Sequence, residues 1–164
     1  MSFKFNAAEV FNIAIKIEEN GKKFYDASLK VIQEPGVRKL FADLAEQEVD
    51  HKKRFEALKA QLPKSSTVST VWDPDNELDQ YIKMMADEHV FVTSAGLDQE
   101  LARVTDVKSA LRLAIEFEKD SVIFFLGLED ATVSKQDQEL IKALVKEEQE
   151  HLRRLSLELS RISR

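Results

Sequence analysis

The sequence predicts an all-α protein: four long helices packed as a bundle, with one long crossover that holds a short extra helix. Three observations carry this expectation. Only four glycines and three prolines occur in 164 residues, which permits long uninterrupted helices and leaves too few turn residues for an all-β fold. Apolar residues recur at steps of three and four along four long stretches. The chain also repeats itself after one hundred residues, pairing Ala14 with Ala114, Ile15 with Ile115, Phe24 with Phe124, Leu40 with Leu140, Leu44 with Leu144 and Arg54 with Arg154.

The elements follow in order. A first helix is expected over about residues 7–33, with Asn6 and Glu9 as its N-cap pair and Pro35-Gly36 as its stop. A second spans about 37–62 and is stopped by Pro63. A polar loop leads to a shorter helix over about 77–94, closed by Gly96. The third long helix covers about 106–129, and the fourth runs from about 135 to the C-terminus behind the capping pair Ser134 and Asp137. The hundred-residue register relates about 7–62 to about 106–161, as expected of a duplicated helical hairpin within one domain spanning 1–164. Residues 63–105 then join the hairpins, and a bundle with one long crossover is the ferritin-like arrangement.

Composition narrows the function classes. Charged residues make up 33% and hydrophobic ones 43%, which suits a soluble helical domain. The absence of cysteine excludes disulfides and thiolate-held iron from this chain. No apolar run approaches the ~18–20 residues of a membrane span, and no signal peptide is apparent, so the cytoplasm is the expected compartment, with no membrane partner. A net charge of −6 favours cations over a nucleic-acid backbone, so no nucleic-acid partner is expected.

Six polar residues interrupt the apolar stripes. Glu18 lies within Ala14, Ile17, Gly21, Phe24, Tyr25 and Ser28, and Glu118 lies within Leu111, Ala114, Phe117, Ser121, Phe125 and Leu128. Glu48 and His51 fill the gap in Leu40, Phe41, Leu44, Phe55, Leu58 and Leu62, while Glu148 and His151 fill that in Ile141, Leu144, Leu155 and Leu159. Buried carboxylates are costly unless paired or metal-bound, and four at one level would repel until some took up protons. Two divalent cations neutralise four carboxylates. Residues three apart share a helix face, so each Glu-x-x-His offers an oxygen and a nitrogen to one centre. The set Glu18, Glu48, His51, Glu118, Glu148 and His151 is that of a di-iron carboxylate site in a four-helix bundle, with zinc or manganese as substitutes.

Residues off the stripes are assigned elsewhere. Glu46, Glu56, Glu147 and Glu150 are expected in solvent, as are Asp26 and Asp120, although either aspartate could orient a ligand histidine. Tyr25 is expected as a core aromatic with a satisfied hydroxyl; the other reading is a hydrogen bond to a ligand carboxylate. His89 has no repeat mate and is assigned to packing or surface, and Trp72 to anchoring the polar loop. Residues 122–126 are apolar all round, leaving Ile123 and Leu126 for the crossover or a second copy; a homodimer is expected.

The text A-I-K-I-E-E-N-G-K-K-F-Y, the text A-L-R-L-A-I-E-F-E-K-D-S-V-I-F-F and the two Glu-x-x-His segments resemble the rubrerythrin branch of the ferritin-like superfamily over nearly the whole chain. The resemblance implies that the six residues are iron ligands and that the substrate is hydrogen peroxide or oxygen; some relatives oxidise ferrous iron. Two departures stand out. Rubrerythrins carry a cysteine-ligated rubredoxin module, absent here, so electrons would come from a separate rubredoxin-like protein or a small reductant. They also place a movable glutamate one turn after the third-helix ligand, where this chain has Ser121, with Gly21 as its first-helix counterpart. A centre that binds, stores or handles metal without turnover is the second reading.

Overall fold

The described residues of the computed structural model, 7–62, 77–89, 94–132 and 134–164, form six helices. They are α1 Ala7–Ser28, α2 Pro35–Ala60, α3 Glu77–Glu88, α4 Ser94–Leu101, α5 Val107–Ala131 and α6 Lys135–Ile162. Local chemistry sets their ends. The Asp106 side chain accepts from the Ser109 backbone while Ser109 answers the Asp106 backbone, a reciprocal capping box that starts α5. Ser134 caps α6 by accepting from the Asp137 amide, as expected.

Two boundaries differ from the expectation. Pro35 does not end the first helix; it opens the second, behind Glu34, whose side chain accepts from the Val37 amide. A proline has no N–H to lose in the first turn and its fixed φ suits that position, while α1 stops earlier, where the Ser28 carbonyl accepts from Val31 and Ile32 in a turn. The crossover carries two short helices rather than one, and Gly96 lies inside the second. The expected cap at Asn6 and the loop anchor Trp72 lie outside the described residues.

α1 packs along α2 and α5 along α6, giving two hairpins. Contacts of α1 with α5 and α2 with α6 close the four helices into a ring, with α3 against α5 and α4 against α1. The expected stripes point inward and are buried, apart from Leu62 and Leu159 at helix ends, which are half-buried. Aromatic rings pack at two levels. At one, Tyr25 meets Phe41 edge-on at 5.1 Å and Phe117 at 6.1 Å; at the other, Phe55 lies 4.8 Å from Phe125 and 6.4 Å from Phe11. Glu18 and Glu48–His51 fall between these levels along α1 and α2, so the polar residues sit in a middle layer between two aromatic ones. Ile123 and Leu126 are 43% and 42% exposed, so the described crossover does not cover that face. Among the described residues no helix is long and apolar enough to cross a membrane.

Candidate metal centre

All six polar residues reach the same place. Glu18 and Glu118 come from α1 and α5; Glu48 with His51 and Glu148 with His151 come from α2 and α6. Each is buried to 1% exposure or less. They form two overlapping quartets whose ligand atoms lie within 4.8 Å of one another: Glu18, Glu48, His51 and Glu148, and Glu48, Glu118, Glu148 and His151. Glu48 and Glu148 belong to both. The histidine rings stack with centroids 5.4 Å apart and planes 12° from parallel.

Both histidines turn Nδ1 inward. His51 Nδ1 lies 2.6 Å from Glu148 Oε1 and 3.6 Å from Glu18 Oε2. His151 Nδ1 lies 3.0 Å from Glu148 Oε2, 3.5 Å from Glu118 Oε2 and 3.8 Å from Glu48 Oε1. These are charge contacts without the alignment of hydrogen bonds. Both oxygens of Glu18, Glu48 and Glu148, Oε2 of Glu118 and both Nδ1 atoms have no aligned partner. Buried polar atoms are nearly always satisfied in proteins. Nine such atoms on the residues of two overlapping quartets, all oxygen or imidazole nitrogen, fit hard or borderline divalent cations.

The outer nitrogens explain the histidine orientation. His51 Nε2 meets Glu147 Oε2 at 3.1 Å, and Arg54 Nη1 holds the other oxygen of Glu147 at 2.6 Å. His151 Nε2 meets Gln47 Oε1 at 2.9 Å, while the Gln47 amide nitrogen donates to the Asp43 carbonyl of its own helix. Each acceptor holds a proton on Nε2, so that Nδ1 is the nitrogen left to give its lone pair to a cation in exchange for its own proton, as a metal ligand requires. This corrects the expectation for Glu147, which is half-buried and bonded rather than solvated. Glu46, Glu56 and Glu150 are exposed, and Asp26 is exposed and paired with Lys22. A signal for the missed pair existed: Gln47 and Glu147 stand one residue before Glu48 and Glu148, in the same hundred-residue register.

The electrostatics describe the cluster with protons in place of cations. Burial and mutual repulsion hold the Glu48 carboxyl well above its ordinary range. Glu18 is held there too: burial raises it, the neighbouring Glu48 carboxyl draws it down, and the charges of Glu148 and Glu118 raise it further. Burial and the Glu148 charge raise Glu118 to about 8. Burial also presses on Glu148, but the attraction of both imidazoles outweighs it and keeps that carboxyl below the ordinary range. Burial works against a charge on the histidines, yet the carboxylates around them lift both to about 10. Tyr25 is fully buried, and its hydroxyl donates to Glu118 Oε1. Both readings of that residue therefore hold together: it is a core ring, and it fixes a cluster carboxylate. Burial, then the nearby carboxylates, hold its phenol well above its usual pKa.

His89 is buried at the end of α3, with Nε2 3.2 Å from Ser121 Oγ and its ring edge-on to Phe117 at 5.8 Å. Burial lowers its pKa to about 3, so it packs as a neutral ring. A cavity of about 360 Å³ opens between α1 and α2, lined by Glu18, Glu19, Lys22, Lys23, Glu48, Val49 and Lys52. It leads from lysines at the surface to two cluster carboxylates.

The chain matches the family model described as Rubrerythrin over residues 9–159. It is similar to a solved structure from Thermotoga maritima described as a ferritin-like diiron-carboxylate protein, at 26% identity and a TM-score of 0.71, with all of both chains covered. No curated protein matches the sequence.

Proposed function

The chain belongs to the rubrerythrin family, and on that premise we propose that Glu18, Glu48, His51, Glu118, Glu148 and His151 hold two iron ions, and that the protein reduces hydrogen peroxide or oxygen with electrons from a separate donor. One observation carries the reading: the two quartets each contain a histidine and a private glutamate, and they share Glu48 and Glu148. That division would suit two cations, one held by Glu18 and His51 and the other by Glu118 and His151, with Glu48 and Glu148 available to both. Four carboxylates balance two divalent charges, so metal would remove the repulsion that otherwise forces protons onto Glu18, Glu48 and Glu118. Bound iron supplies one electron per ion and polarises the oxidant.

The chain's own residues set the conditions for that chemistry. Tyr25 keeps its proton and pins Glu118 Oε1, which leaves Oε2 turned to the cavity. Glu147 and Gln47 hold the histidines in the tautomer that presents Nδ1. The aromatic layers close the centre on two sides, and the cavity between α1 and α2 gives a small oxidant a way to Glu18 and Glu48. With no cysteine in the chain, the electrons come from a rubredoxin-like partner or a small reductant. The exposed Ile123 and Leu126 suit the seam of a homodimer.

The second reading, iron handling without turnover, is favoured by Ser121. No carboxylate stands at that position, and its hydroxyl is engaged by His89. Two measurements decide. Elemental analysis of protein purified without chelators identifies iron, zinc or manganese. Anaerobic ferrous titration should saturate at two ions per chain, and the loaded protein should consume peroxide over many turnovers when a reductant is present. Two bound irons without turnover select the second reading; no stoichiometric binding overturns both. As a control, Glu46→Ala should leave the iron count intact while Glu48→Ala lowers it.

A further inference from the structure

The two metal positions lie in one pseudo-symmetric frame, but their outer supports differ in charge. His51 Nε2 faces a carboxylate, Glu147. The equivalent His151 Nε2 faces an amide, Gln47. The surrounding ion pairs keep the difference. On the His51 side Arg54 contacts Glu147 at 2.6 Å and Asp50 at 2.6 Å, one cation against two anions, which leaves one net negative charge behind the ring. On the His151 side Arg154 turns to Asp43 at 3.4 Å and Arg153 pairs with Glu150, two cations against two anions, and Gln47 adds none. Residue 143, which matches Asp43 in the register, is alanine, so no pair of that kind forms behind His51.

A carboxylate accepting the outer N–H pushes electron density onto the opposite nitrogen and strengthens its bond to a cation; a neutral amide does so less. We infer that the two positions bind metal unequally, that the one held by His51 and Glu18 fills first and tightest, and that Glu147 is the positioning residue that makes it so. The inference rests on the two-metal reading above and assigns the order within it. Arg54 orients Glu147 by holding one oxygen, leaving the other aimed at the ring.

Cobalt(II), a divalent ion of suitable size with visible ligand-field bands, tests this by calorimetric and optical titration. Repulsion between the ions makes the second step weaker in any paired site, so step order alone is not diagnostic. The comparison is between variants. Glu147→Gln should weaken the first step by roughly tenfold, bringing it toward the second. Gln47→Ala should weaken the second step and leave the first unchanged. His151→Ala should retain a single site tighter than the one left in His51→Ala, again by roughly tenfold. Glu147 is partly exposed, so its substitution does not depend on the core refolding. Unchanged first-step affinity in Glu147→Gln, or equal residual sites in the two histidine variants, overturns the inference and leaves the two-metal reading standing. No stoichiometric binding by the unaltered protein overturns both.

Discussion

Replacing Gly21 by alanine separates two opposing forces at the edge of the cluster. Gly21 lies inside α1, where a glycine costs about 0.5–1 kcal/mol of helix stability relative to alanine. On propensity alone the substitution should stabilise. The packing argues the reverse. A Cβ at this position would stand 2.4 Å from Phe117 Cζ, 2.8 Å from its Cε1 and 3.3 Å from Glu48 Oε2. The Phe117 ring has nowhere easy to go: it is fully buried and wedged against Tyr25 and His89. Adding a methyl group to a filled core costs typically about 1–3 kcal/mol, and an overlap this deep belongs at the upper end. The balance is a net loss of about 2 kcal/mol, which for a domain of this size is a fall in Tm of about 4–8 °C. Gly127 is the internal control. It too lies within a helix, but its nearest contact is 3.3 Å, to the half-exposed Tyr81, which can give way. Gly127→Ala should therefore be neutral or stabilising by up to about 1 kcal/mol. Thermal unfolding followed by far-ultraviolet circular dichroism reads both. If Gly21→Ala were as stable as the parent, or the two variants moved together, the packing around Phe117 would be misassigned.

Three further outcomes follow. Anaerobic ferrous iron at about one hundred times its dissociation constant should stabilise the fold by about 2.7 kcal/mol for each site filled, visible as a clear rise in Tm by scanning calorimetry; an unchanged Tm would mean that no folded-state site is filled. Metal-free protein should lose stability as pH rises from about 6 to about 10. His51 and His151 titrate near 10 when folded against an ordinary 6.5, so the stability they bring is complete below 6.5 and gone above 10, while Glu118 adds the same sign between 4.5 and about 8. Urea midpoints across that range measure it, and a midpoint that rises with pH contradicts the charge assignment. Tyr25→Phe removes the donor to Glu118 Oε1 and should cost about 1–3 kcal/mol in urea unfolding, with a weaker second cobalt step; a neutral effect on both would mean the hydroxyl does not hold that carboxylate.

The six cluster residues were legible because each hides in a local pattern. A carboxylate or imidazole at the three-four spacing of an apolar stripe must face the core, and Glu18, Glu48, His51, Glu118, Glu148 and His151 all do. The outer partners were not legible in the same way. Gln47 and Glu147 sit one position off the stripe, where a polar side chain usually reaches water. Their roles depend on how far α2 stands from α6, a tertiary distance that no local spacing encodes. His89 packs, one of the two places its sequence allows; the choice between packing and surface rests on α3 lying on α5, and the crossover has no repeat mate against which to compare it. Pro35 is ambiguous in the sequence because a proline breaks a helix from inside yet opens one at its first turn. Both outcomes agree with the local sequence, and Glu34 as the cap decides between them.

The location of these partners ties the bundle's closure to the state of the site. Each hairpin is held by its own apolar seam, α1 on α2 and α5 on α6. Beside the Arg154–Asp43 pair between α6 and α2, three polar contacts across the remaining junctions run through the cluster. Tyr25 of α1 holds Glu118 of α5, Glu147 of α6 holds His51 of α2, and Gln47 of α2 holds His151 of α6. Cations bound between the two quartets would add bonds across the same junctions and remove the repulsion that opposes them. Metal loss should therefore act unevenly, loosening α2 against α6 and α1 against α5 before either hairpin opens. Hydrogen exchange can resolve this, because exchange of the helix amides reports local opening free energies. Amides near Glu48 and Glu148 should lose more protection on metal removal than those near Leu40 and Leu111 at the bundle's other levels. A uniform loss along all four long helices would instead mean that metal stabilises the bundle only globally.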